Sequence, residues 1–160
     1  MKYPPILPKV PHMVHGGDYN PDQWIAMKDV IWNEDMRLAK LAGINELSVG
    51  IFSWAALEPE EGVFTFDFWD EFMELCKQEE MQVIFGTPTA TPPAWLTEKY
   101  PEVLNCRQDG VPYRHGARRH YNYNSPKYRE LSARIVEKLA QHYGKHPAIV
   151  GWQIDNELNC

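Results

Sequence analysis

Apolar residues along this chain follow two periods in turn. Short apolar or β-branched runs occur at 12–17, 46–52, 82–87 (QVIFGT) and 148–154 (AIVGWQI), each short enough for a strand. Between them, apolar positions return every three, four or seven residues, the spacing of one buried helix face. Trp24, Met27, Ile31, Leu38 and Leu41 make the first such stripe. Asn20 is placed to cap it, Pro21 to stand at its first position, and Gly43 to end it in a left-handed conformation. Phe68, Phe72, Leu75 and Cys76 make a second face. Tyr128, Leu131, Ile135, Leu139 and His142 make a third, opened by Ser125 and Pro126 and closed by Gly144. Residues 53–65 read as a loop. Residues 88–124 read as a long irregular segment, because the prolines of TPTATPPAW remove backbone donors and restrict their neighbours. A loop of that length in a compact domain usually serves or covers a site.

The order is β-α-β-α-β-α-β, which predicts an α/β fold with parallel strands. The continuous apolar character of 148–154 predicts a strand buried on both faces. A doubly wound sheet and a closed barrel both fit this order, and two features favour a (β/α)8 TIM barrel. No glycine-rich phosphate turn follows the first strand. Polar and aromatic residues gather after every strand: Asp18-Tyr19-Asn20, Ser53-Trp54, 87–95 and Asp155-Asn156-Glu157. Barrel enzymes build their active sites from those loops. A complete barrel takes about 250 residues and eight βα units. This chain has 160 residues and about four units, ending at Cys160 just past the fourth strand. The expectation is that residues 1–160 are the N-terminal half of a barrel domain, truncated after strand 4.

Composition narrows the partners. The formal net charge is −6, and Arg114, Arg118 and Arg119 are the only basic cluster, which argues against nucleic acid. No apolar run approaches the roughly 20 residues of a membrane span. The N-terminus is broken by Pro4, Pro5, Pro8 and Pro11 and has no apolar core of a secretory signal, so a cytoplasmic location is expected. Cys76, Cys106 and Cys160 are odd in number and lack CxxC spacing, and are read as free thiols. Six Trp, eight Tyr and six Phe suit both a packed core and the stacking of sugar rings.

Glu157 is the leading candidate for chemistry. It lies just beyond the fourth strand, where a carboxyl at a barrel mouth can act as a general acid, and Asn156 beside it can donate to a sugar hydroxyl. Asn-Glu occurs twice more, at Asn33-Glu34 on a helix and at Asn45-Glu46 at the opposite end of a strand. Only Asn156-Glu157 stands at a C-terminal strand end. Trp54, Trp95 and Trp152 are candidate stacking platforms, against a core role that is strongest for Trp152. Tyr19, after the first strand, is a further candidate contact. Glu58 and Glu61, beside Pro59 and Gly62, read as solvated turn charges. His12/His15 and His142/His146 have suggestive spacings, but Gly144 and Pro147 break the alignment of the second pair, and no metal or cofactor is expected.

Five collinear blocks sharpen this reading: HGGDYNPDQW (15–24), FSWAALEPEEGVFTFDFWD (52–70), TPTATPPAWL (87–96), RRHYN with NSP (118–126) and GWQIDNE (151–157). Together they resemble glycoside hydrolase family 42 along almost the whole chain. The resemblance implies a retaining exo-glycosidase acting on terminal β-D-galactosides of an oligosaccharide. It implies Glu157 as acid/base, Asn156 as sugar contact, Arg118 in the galactose subsite, and a nucleophile on a seventh strand beyond residue 160. Alone, the 160 residues are then expected to be inactive. It further implies a homotrimeric parent. Some members hold zinc through a Cys directly after Arg-Arg-His-Tyr. That position is Asn122 here, a poor zinc ligand, so this site is expected to be absent. A related barrel glycosidase of other specificity (α-L-arabinopyranosidase or β-glucosidase) and a non-catalytic sugar-binding module are the alternatives.

Overall fold

In the computed structural model, which describes residues 3–5, 7, 10–117 and 119–158, the strands are β1 (Gly16–Asp18), β2 (Glu46–Val49), β3 (Gln82–Gly86) and β4 (Ile149–Gln153). The α-helices are α1 (Lys28–Leu41), α2 (Trp54–Leu57), α3 (Asp67–Gln78), α4 (Ala94–Lys99) and α5 (Pro126–Tyr143). All strand pairs are parallel and the sheet order is β1-β2-β3-β4. A doubly wound sheet reverses its strand order at a switch point, and this sheet does not. Consecutive parallel strands in chain order, joined by helical connections, match the first four strands of a (β/α)8 barrel.

The chain divides into two units. The first comprises Met1–Val49, Phe66–Gly86 and Lys145–Gln153 and contains the sheet. Its register sets Leu47 beside Val83 and Val49 beside Phe85, so these share one face. That face meets α3, with the Trp69 and Phe85 rings 5.0 Å apart, and Trp32 of α1 meets Phe72 edge-on at 5.2 Å. Glu46 and Ser48 point the other way. β1 is shorter than expected, and its first residue must be glycine because it runs so close to β2: a Cβ on Gly16 would lie 1.8 Å from the Glu46 carbonyl oxygen. Gly43 ends the α1 region at φ +77°, as the sequence predicts.

The second unit comprises Gly50–Thr65, Thr87–Gly144 and Ile154–Cys160, the segments that follow β2, β3 and β4. Two expectations change here. Residues 53–65 contain α2, and the proline-rich stretch contains the helical turn Pro88–Ala90 and then α4, which starts directly after Pro93. Proline is compatible with a helix start, where its missing N–H has no partner to lose. In α5, Ser125 accepts a hydrogen bond from the Tyr128 backbone and Pro126 takes the first position. Tyr128, Leu131, Ile135 and Leu139 are buried as expected, with Tyr143 rather than His142 closing the stripe. β4 is half-buried along its length, not enclosed on both faces, because β3 is its only neighbour among the described residues.

Candidate active site

Asp155, Asn156 and Glu157 leave the C-terminal end of β4 in an unusual backbone conformation. Asp155 has φ +59° and Glu157 φ +49°. The left-handed region costs a non-glycine residue about 1 kcal/mol or more, so the surroundings must hold it there. Thr87, the first residue after β3, accepts a hydrogen bond from the Asp155 backbone N–H at 2.8 Å through its buried hydroxyl. The Asp155 carboxylate accepts from the Asn156 N–H at 2.6 Å and from Arg119 Nη1 at 3.3 Å. The Glu157 side chain is exposed, and Asn156 is half-buried.

Arg119 is 8% exposed, an unusual degree of burial for an arginine. Its Nη1 also donates to the Tyr121 hydroxyl at 2.9 Å, and its guanidinium lies 5.8 and 5.6 Å from the Tyr121 and Tyr123 ring centroids. Tyr121 stacks on Tyr128 at 4.6 Å, and Tyr128 donates to the Thr89 carbonyl at 2.8 Å. Burial raises the pKa of both phenols. The loop after β4 is thus tied to the loop after β3, and that loop to α5, through buried polar contacts within the second unit.

The remaining candidates fall differently. Arg118 lies outside the described residues. Trp54 has no exposed surface. Its indole donates to Glu58 at 2.9 Å and its ring lies 6.4 Å from Tyr128, so it is a core residue with no face for a sugar. Tyr19 is half-buried. Its hydroxyl donates to Asp35 at 2.7 Å and its ring stacks on Phe72 at 5.7 Å, which places it in the layer of α1 and α3. Burial, with Asp35 adding to it, raises the phenol pKa. Trp152 lies across the register from Phe85, their rings 5.7 Å apart, on the helix-facing side of the sheet. Trp95 is half-buried and donates to the Glu58 carbonyl at 2.8 Å.

Glu58 is fully buried rather than solvated. Its carboxylate collects Trp54, the Gly62 N–H at 2.8 Å and Arg134, and so fixes the turn after α2. Glu61 pairs with Lys99 and Tyr100, and Lys99 lowers its pKa. Asn122 accepts from the Asn124 N–H at 2.9 Å, a turn that leads into the Ser125 cap. Cys106 is an exposed free thiol. Cys76 is buried, which pushes its pKa up to about 12. No helix among the described residues is long and apolar enough to cross a membrane.

Four parallel strands in chain order, with Asn156-Glu157 beyond the C-terminal end of β4, define the class as half of a (β/α)8 barrel. Residues 18–160 match the family Glyco_hydro_42, described as beta-galactosidase, and the chain belongs to that family. It is 48% identical over 156 residues to the β-galactosidase BglY of Alicyclobacillus acidocaldarius, covering 98% of this chain and 22% of that protein. It is 49% identical to the β-galactosidase Pbg of Clostridium perfringens over the same shares. The crystal structure of the β-galactosidase from Rahnella sp. R3 superposes with TM-score 0.94 at 42% identity, covering 99% of this chain and 23% of that one. The chain therefore spans about a fifth of the length of the relatives it matches.

Proposed function

We propose that this chain supplies the acid/base half of a retaining β-galactosidase that releases terminal β-D-galactose from oligosaccharides. The observation that carries it is the position of Asn156 and Glu157 directly beyond β4, in a chain of the β-galactosidase family. Glu157 protonates the glycosidic oxygen as the bond breaks, then takes a proton from the water that hydrolyses the galactosyl-enzyme. The attacking carboxyl, about 5–5.5 Å away in retaining enzymes, comes from a seventh strand outside residues 1–160. Asn156 donates to a sugar hydroxyl, and Arg118 reaches the galactose subsite. Trp54, fully buried, takes no part, while the half-buried Tyr19 serves as a sugar contact. The free, exposed Cys106 suits a reducing cytoplasm, checked by fractionating cells. Homotrimeric assembly follows from the family resemblance, checked by light scattering of the complete enzyme.

The test is Glu157→Gln in the complete enzyme. A glutamine cannot donate an acidic proton, so turnover falls by about 10²–10⁴-fold. Azide, which needs no general base to attack the galactosyl-enzyme, restores part of the rate and yields galactosyl azide. Unchanged kinetics remove Glu157 from the site.

A further inference from the structure

Arg119 is a buried cation for which the reaction above has no use. Its side chain is 6% exposed and pairs with Asp155, itself 13% exposed. Taking both charges out of water costs about as much as their attraction returns, so stability alone is a poor reason for the pair to stand here. Its place in the chain supplies a better one. Asp155 is two residues before Glu157, and both are held at positive φ. Such a conformation persists only where several contacts over-determine it. Thr87 Oγ1 fixes the Asp155 backbone at 2.8 Å, while Arg119 Nη1 bridges the Asp155 carboxylate at 3.3 Å and the Tyr121 hydroxyl at 2.9 Å. One contact acts on the main chain and the other on the side chain, so together they fix the rotation of the peptide that leads to Asn156 and Glu157.

We propose that Arg119 and Thr87 are positioning residues for the acid/base carboxyl. They hold Asp155 in its left-handed conformation and thereby set the direction in which Glu157 leaves the backbone. The proposal rests on the reading of Glu157 as acid/base. A general acid works only within hydrogen-bond reach of the departing oxygen, and a displacement of about 1 Å can cost roughly 10²-fold. Both contacts come from the single Nη1, so lysine at 119 would keep the charge but would have to bring its Nζ to that same point on an unbranched, more flexible stem.

The dependence on leaving group separates misplacement of an acid from general damage. Phenoxide is a basic leaving group and needs a proton to depart, whereas 2,4-dinitrophenoxide leaves without one. The value of kcat/KM reports the step up to that departure. Arg119→Gln, Arg119→Lys and Thr87→Val are compared in the complete enzyme, with Glu157→Gln alongside. For Arg119→Gln and Thr87→Val, kcat/KM for phenyl β-galactoside should fall at least about tenfold further than for the dinitrophenyl substrate, out of the roughly 10²–10⁴ that acid catalysis supplies. Inhibition by galactose should stay unchanged, and Arg119→Lys should recover part of the loss. Equal falls on both substrates, or none, overturn the positioning role while Glu157→Gln still shows the selective loss. A Glu157→Gln enzyme without that selectivity overturns the acid/base assignment and this proposal with it.

Discussion

Glu46 shows how one residue's surroundings become a measurable pH dependence. It is 5% exposed, and burial raises its carboxyl pKa, with Asp18 adding repulsion while Ser48 and the Ile84 backbone partly offset the shift by hydrogen bonding. The folded state then holds the Glu46 proton more tightly than the unfolded chain does. Stability therefore falls as pH rises from the unfolded value of about 4.3 through the raised folded value. Glu46→Gln removes that loss: the melting temperature should rise at pH 7, and the gain should shrink to nothing near pH 4. A variant less stable at pH 7 would show that the carboxylate is satisfied as it stands. At this scale the sequence was legible where order along the chain decided a residue's place. Glu157 stands beyond β4 as its place in the chain implied. It was illegible where burial decided. Arg119, Glu58 and Trp54 all lie in stretches whose local pattern is that of a loop. Contacts far along the chain, such as Arg134 with Glu58 and Asp155 with Arg119, turn them into buried parts.

At the scale of elements, α5 was the most legible because its signals agree. Ser125 supplies a cap, Pro126 a compatible first residue, and the apolar stripe keeps its phase from Tyr128 to Leu139. The Ser125 hydroxyl satisfies one of the backbone donors that a helix start leaves open, at 3.3 Å from the Tyr128 nitrogen. Ser125→Ala should cost about 1 kcal/mol in urea unfolding. Ser125→Asp, which can cap in the same way, should cost much less. Equal losses would assign Ser125 to packing instead. The region of α1 was read less well. Residues Pro21–Met27 form a 3-10 helix before α1 begins at Lys28. A 3-10 helix turns about 120° per residue and an α-helix about 100°, so a stripe drawn across the junction loses phase. Trp32 and Met36 are buried, while Trp24, Met27, Leu38 and Leu41, placed on the core face by simple periodicity, are 40–73% exposed. The polar segments after the strands were recognised as rim, but the helical pieces within them were not. Helices of three to six residues carry too few positions to show a period.

For the whole molecule, the chemistry sets a requirement on the number of carboxyls. Retaining hydrolysis needs a nucleophile about 5–5.5 Å from the acid/base group. Two other carboxyls of the second unit are already committed. Glu58 is fully buried and held by Trp54, Gly62 and Arg134, and Asp155 is engaged by Arg119 and the Asn156 N–H. A carboxylate whose lone pairs accept several hydrogen bonds and an ion pair is a poor nucleophile, because those bonds must break as it attacks. Residues 1–160 alone should therefore show no turnover of a nitrophenyl β-galactoside above the uncatalysed rate. Folding must be separated from chemistry in that assay, since β1 and β4 each have a single partner among the described residues and open edges invite self-association. Far-ultraviolet circular dichroism and light scattering on the same preparation make that separation. A folded preparation with turnover comparable to the complete enzyme, abolished by Glu157→Gln, would mean that a second carboxyl within these 160 residues can attack the sugar. The requirement for a nucleophile from strand seven would then be wrong.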